Sequence, residues 1–122
     1  MALTDKYAGS TLRIASIALK DNAGDPILLS FFDNIIVEVY TSMANIVKFS
    51  LIEKDGYLPL TPINSNSFSF AALSDKTKLF RGECFMEMKG VKDDTEYLLE
   101  NNGIGRTSLG INFIDNNIKN AR

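Results

Sequence analysis

A chain of 122 residues has room for one domain and one core. With 45% hydrophobic and 23% charged residues it has the composition of an ordinary globular domain, which excludes general disorder. The formal net charge is −2 and the basic residues are scattered among acidic ones, so a nucleic-acid partner is not expected.

Residues 1–10 are polar and without a clear period, and read as an N-terminal arm. From Thr11 to Lys20, the run Leu12, Ile14, Ile17, Leu19 predicts a strand with a phase change at Ala15-Ser16, the mark of a bulge. Asp21-Asn22-Ala23-Gly24-Asp25-Pro26 is a dense set of turn residues, after which Ile27 to Leu29 resumes strand briefly. Ile35 to Tyr40 is the clearest strand. Ile35, Val37 and Val39 share one face, and Ile36, Glu38 and Tyr40 the other. Asn45 turns the chain into Ile46 to Leu51, which completes a hairpin. After Glu53-Lys54-Asp55-Gly56, Pro59 and Pro62 confine Tyr57 to Ile63 to an edge.

Ser67-Phe68-Ser69-Phe70 alternates strictly, with both rings on one side. Ser74 is placed to cap one helical turn, with Asp75 in its first turn and Leu73 and Leu79 expected beneath it. Gly82 to Lys89 returns to strand, with Cys84, Met86 and Met88 facing one way. Asp93-Asp94 is a turn, Glu96 to Asn101 a strand, and Asn102-Gly103 a further turn. Thr107 to Ile114 closes the series with Leu109, Ile111 and Phe113 in register, and residues 115–122 form a polar tail. About seven short strands with turns every ten or so residues predict an all-β, immunoglobulin-like β-sandwich over 11–114, with one short helical turn.

The chain contains no histidine, which removes the usual general base and the commonest metal ligand. One cysteine, Cys84, allows neither an intrachain disulfide nor an ordinary zinc site. It lies on the face of Met86 and Met88, so an inert buried thiol is expected. Asp93, Asp94 and Glu96, like Asp21 to Asp25, lack the alternating oxygen spacing of a calcium loop and read as solvated turn residues. Gly103-Ile104-Gly105 lacks the third glycine of a dinucleotide fingerprint. No enzyme, cofactor or metal is expected. No basic n-region with an apolar h-region opens the chain, and no apolar run reaches the roughly 20 residues of a bilayer span. A signal peptide and a membrane partner are therefore not expected. Phe31, Phe32, Tyr40, Tyr57 and Phe85 fall off the predicted inward faces and form the candidate contact surface.

Taken together, several segments resemble a known pattern. They are the strand from Leu12, the Asp21–Pro26 turn, Ile35-Ile36-Val37-Glu38-Val39-Tyr40, Ile46-Val47-Lys48-Phe49-Ser50 and the turn Lys54-Asp55-Gly56. Asn66-Ser67-Phe68-Ser69-Phe70, the helical turn from Ser74 and Gly82 to Lys89 complete it. The pattern is similar to the small immunoglobulin-like domains of phage tail and baseplate proteins, in particular the N-terminal domain of baseplate upper proteins. The resemblance spans about residues 11–114. It implies a non-catalytic bacteriophage virion protein, made in the host cytoplasm, that docks on other virion proteins of a capsid or tail lattice and forms homo-oligomers in assembly. Family members carry a further receptor-binding or trimerising segment. The strand pattern here stops at Ile114, so an auxiliary capsid protein is an equal expectation. A carbohydrate- or host-surface-binding module is the alternative, with exposed tyrosines and phenylalanines as stacking platforms.

Overall fold

The computed structural model describes residues 3–21, 23–99 and 106–115. They form ten strands: β1 (Thr4–Tyr7), β2 (Leu12–Ala18), β3 (Asn34–Tyr40), β4 (Ile46–Ser50), β5 (Leu58–Pro59), β6 (Thr61–Asn64), β7 (Ser67–Ala72), β8 (Gly82–Lys92), β9 (Thr95–Leu98) and β10 (Thr107–Ile114). A 3-10 turn spans Leu29–Phe31, and a single helical turn, α1, spans Ser74–Thr77. One sheet runs β1-β10-β8-β3-β4-β5, with β9 also paired to β8; the other is β2-β7-β6. This is a two-sheet β-sandwich. Its central order, with β10, β8, β3 and β4 on one side and β2, β7 and β6 on the other, is that of a variable-type immunoglobulin domain, and α1 makes the crossover between β7 and β8. The surplus over seven strands comes from short pieces, namely β1, the two-residue β5 and the hairpin return β9.

Alternation builds the core. Ile35, Val37 and Val39 are fully buried on the inner face of β3, Val47 and Phe49 beside them on β4, and Cys84 and Met86 on β8. The second sheet answers with Leu12, Phe68, Phe70 and Ala72. The Phe49 and Phe70 rings meet at 4.6 Å between the sheets, and Phe80 packs edge-on against Phe113 at 5.2 Å. Each such side chain contributes about 1.5–3 kcal/mol by leaving water, so these rings account for much of the adhesion between the layers. The bulge expected at Ala15-Ser16 is present: Ile14 pairs with Phe70 and Ile17 with Phe68, three steps on β2 against two on β7.

Four segments differ from the sequence expectation. Thr4–Tyr7, read as part of an arm, is β1, paired parallel to β10 from Thr4↔Ile111 to Tyr7↔Ile114. An edge strand with most side chains in solvent carries no alternation to betray it. Ile27 to Leu29 is not strand; the chain enters the 3-10 turn at Leu29. In α1, Leu73 occupies the N-cap and no side chain bonds the cap. Leu73 and Leu79 are both exposed, and the underside is filled instead by Thr77 and Phe80. The Thr77 hydroxyl donates to the Ser10 carbonyl at 2.6 Å, so this turn is held by a polar tie and one ring. The strand expected to continue to Asn101 is described to Leu98. The Asn102-Gly103 turn, Gly103-Ile104-Gly105 and the tail after Asp115 lie outside the described residues.

Candidate interaction surface

Strand pairing gathers three connections at one end of the sandwich. Asn34↔Val91 and Ile36↔Ser50 bring the start of β3, the end of β4 and the end of β8 together. The β2–β3 connection, the loop 51–57 and the β8–β9 hairpin therefore adjoin. In variable-type immunoglobulin domains the corresponding end carries the binding loops.

The hairpin turn is built by Asp93 and Asp94, both in the left-handed region with φ of 52° and 63°, which suits a two-residue turn between twisted strands. The Asp33 carboxylate accepts the Asp93 N–H at 2.9 Å and ties the hairpin to the β2–β3 connection. That connection is braced in turn by Asp21, whose Oδ1 accepts the N–H groups of Ala23 and Asp25, each at 2.9 Å. These carboxylates serve the backbone. Among the described residues no group of three or more acidic or cysteine side chains is placed to hold a metal ion.

The five aromatic residues singled out in the sequence separate into two groups. Phe31 is 53% exposed and stands at right angles to Phe32 at 5.1 Å. Lys92 reaches it from the hairpin: its Nζ lies 4.7 Å from the ring centroid and donates to the Phe31 carbonyl at 3.0 Å. Tyr57 is half-buried between two lysines, with Lys54 Nζ at 4.9 Å and Lys48 Nζ at 5.7 Å from its ring. Phe85, also half-buried, lies on the outer face of β8 under the Arg106 guanidinium at 3.9 Å. Each of these rings therefore carries a cation on a face, an arrangement worth about 0.5–1 kcal/mol at exposed positions.

Phe32 and Tyr40, by contrast, are buried. Phe32 is only 9% exposed and is part of the core cluster. Its ring lies against Gly90, where any Cβ would collide with it. Two consecutive phenylalanines cannot share a face in extended chain, and at the end of the 3-10 turn, whose last residue is Phe31, Phe32 goes inward and Phe31 out. Tyr40 sits on the outer face as alternation requires, yet it is 4% exposed. The tilted Phe85 ring lies 6.2 Å away, and the Tyr40 hydroxyl donates to Glu87 Oε2 at 2.6 Å. Burial, with the Glu87 carboxylate beside it, raises the phenol above its ordinary value of 10.0.

Three further apolar side chains escaped the sequence reading. Leu28, Tyr97 and Leu98 are about as exposed as Phe31. Leu28 and Phe31 line a shallow apolar hollow with Pro26, Ile27 and Phe32. Tyr97 pairs with Gly90, and paired residues share a face, so it stands on the side of the sheet that Phe32 covers. On the other side of the sheet, Asp33, Glu53, Asp94 and Glu96 line a depression with Lys54 and Lys89. Leu28 could have been marked in the sequence as an apolar residue in a turn-rich stretch. Tyr97 and Leu98 had no such signal, because a hairpin return looks like any half-buried strand.

Cys84 is fully buried, and burial pushes its thiol up to about 12. Comparison with known proteins finds no matching family model, no matching curated protein and no matching solved structure.

Proposed function

We propose that this chain is a non-catalytic bacteriophage virion structural protein, an immunoglobulin-like module that docks on a capsid or tail lattice through the loop end of its sandwich. The virion context rests on the resemblance of the strand-and-turn pattern to phage tail and baseplate domains. The docking surface rests on one observation: Leu28 and Phe31 stand half exposed beside an acidic hairpin at the end of a rigid two-sheet frame. Exposed apolar side chains grouped at one end beside a charged hairpin suit a protein partner better than solvent. The absence of histidine from the chain weighs against acid-base catalysis. The lysines over Tyr57 and the arginine over Phe85 occupy ring faces on which a sugar would stack, which ranks carbohydrate binding below docking.

The test is localisation and incorporation. Purified particles are expected to contain the chain, and the double variant Leu28→Ala/Phe31→Ala is expected to fold normally yet be lost from particles. Absence from particles, or undiminished incorporation of the folded double variant, overturns the reading. Saturable binding on a glycan array that disappears with Tyr57→Ala would replace it with the carbohydrate-binding one.

A further inference from the structure

Strand β2 is an edge strand whose bulge at Ala15-Ser16 is not joined by proline, lysine or shortness. It pairs with β7 on one side, and among the described residues no strand pairs with its other side. The remaining edges are protected in ways that proteins commonly use to prevent edge-to-edge association. β6 contains Pro62 and a register shift, β5 has two residues and Pro59, β1 carries Asp5 and Lys6, and β9 is four residues long with Glu96. β2 has seven residues, LRIASIA, with neither proline nor lysine and a single charge, Arg13.

Its burial pattern has a second property. From Leu12 to Leu19 the side chains run buried, exposed, intermediate, exposed, exposed, intermediate, exposed, buried. The sequence of environments is a palindrome about the Ala15–Ser16 bond. The bulge between Ile14 and Ile17 produces it, because the extra residue reverses the alternation at the midpoint. A twofold contact uses the same patch on both partners and must be complementary to itself. Antiparallel pairing of two β2 strands about that bond meets the condition at every position. Ile14 falls opposite the second copy's Ile17 and Leu12 opposite its Leu19, all facing the core. Arg13 falls opposite Ala18 and Ala15 opposite Ser16, facing solvent. The only charged side chain of the strand thus meets alanine and stands several residues from its symmetry mate.

We infer that the occupant of this edge is a second copy of the same chain, joined by antiparallel β2–β2 pairing across a twofold axis at Ala15-Ser16, so that two three-stranded sheets become one of six. The half-covered Ile14 and Ile17 side chains are then closed over by the mate's isoleucines, and the edge's free N–H and C=O groups are satisfied. This inference goes beyond the docking function and does not depend on it.

Two measurements on the full chain test it. In sedimentation equilibrium at about 100 µM, where a low-micromolar Kd leaves mostly dimer, the wild type is expected at twice the chain mass. Ala15→Lys and Ala15→Glu change a residue that is exposed in the single chain but flanks the axis. Each alone is expected to be monomeric with an unaltered circular dichroism spectrum, and an equimolar mixture of the two to recover the dimer. The register is read by mild oxidation of Arg13→Cys copies mixed with Ala18→Cys copies. Cβ atoms of paired residues lie roughly 4.5–5.5 Å apart, close to disulfide reach, so the mixed disulfide between an Arg13→Cys copy and an Ala18→Cys copy should form well ahead of either self-link. A single-chain mass throughout, a dimer that persists in folded Ala15→Lys, or self-links equal to the mixed link would each overturn the inference.

Discussion

Asn34 and Ser50 close the loop end of the β3–β4 pair as a single polar unit. Asn34 Nδ2 donates to Ser50 Oγ at 2.9 Å, and Ser50 Oγ donates onward to the Ile52 carbonyl at 2.6 Å. Asn34 Oδ1 accepts the N–H groups of Leu51 and Ile52, both at 3.1 Å. Both side chains are buried. One asparagine at the start of β3 therefore fixes how the chain leaves β4 and enters the loop that carries Tyr57. Asn34→Ala removes an acceptor shared by the N–H groups of Ile35, Leu51 and Ile52, of which Leu51 keeps a second partner in the Ile35 carbonyl at 3.0 Å. It is expected to cost about 2–4 kcal/mol, against about 1 kcal/mol for Ser50→Ala. Urea unfolding should show both as a lower midpoint at constant slope. The double variant should cost less than the two single losses together, since the groups share one network.

Gly90 is expected to be intolerant of any side chain, because the Phe32 ring occupies the space a Cβ would need. Gly90→Ala should destabilise by about 1–3 kcal/mol through overpacking. Adding Phe32→Leu should return part of that loss. Thermal melts of the two variants check this, and a Gly90→Ala protein as stable as the wild type would contradict the packing described.

Tyr40 gives the protein an alkaline limit. Its phenol is raised in the folded state, first by burial and then by Glu87, so folding favours the protonated form. The stabilisation is fully present below pH 10.0, the ordinary value, and is lost as pH rises through the folded value. In an ultraviolet phenolate titration one of the four tyrosines should ionise late. That late step should vanish in Tyr40→Phe and move toward the ordinary value in Glu87→Gln.

Cys84 should be silent toward thiol reagents in the native protein. A thiol raised from 9.0 to about 12 holds roughly 1000-fold less thiolate at any pH well below both values, and burial denies access as well. Labelling should track unfolding by denaturant. Rapid labelling under native conditions would mean that the β8 core position is open to solvent.

The two-sheet plan was legible because it depends on alternation and turn chemistry, both written locally. Ile35, Val37, Val39, Phe68 and Phe70 declare their faces through their neighbours, and the phase change at Ala15-Ser16 foretold the bulge. The segments that escaped depend on distant partners. β1 is strand only because β10 lies beside it. Leu73 and Leu79 looked like the underside of α1, but the β1–β2 turn reaches that side first and presents Ser10 to Thr77. At the candidate surface, exposure proved harder to infer than strand position. Phe32 was hidden by a turn of three residues and Tyr40 by a neighbouring ring and a carboxylate. Tyr97 came to light only through its pairing with Gly90.

The parallel pairing of β1 with β10 also bears on how the protein is made. Asp5 and Asn112, joined by a side-chain hydrogen bond of 3.1 Å, stand 107 positions apart in the chain. As the chain emerges from the ribosome, β1 comes out well ahead of β10, the strand it pairs with among the described residues. Until then β8 has no β10 to cover the edge at Gly82 to Met86, and β1 has nothing to pair with. Closure of the larger sheet is therefore a late event, and such long-range contacts slow folding. The nascent domain passes through a stage with open strand edges, when contact with a neighbouring chain carries the greatest risk of aggregation.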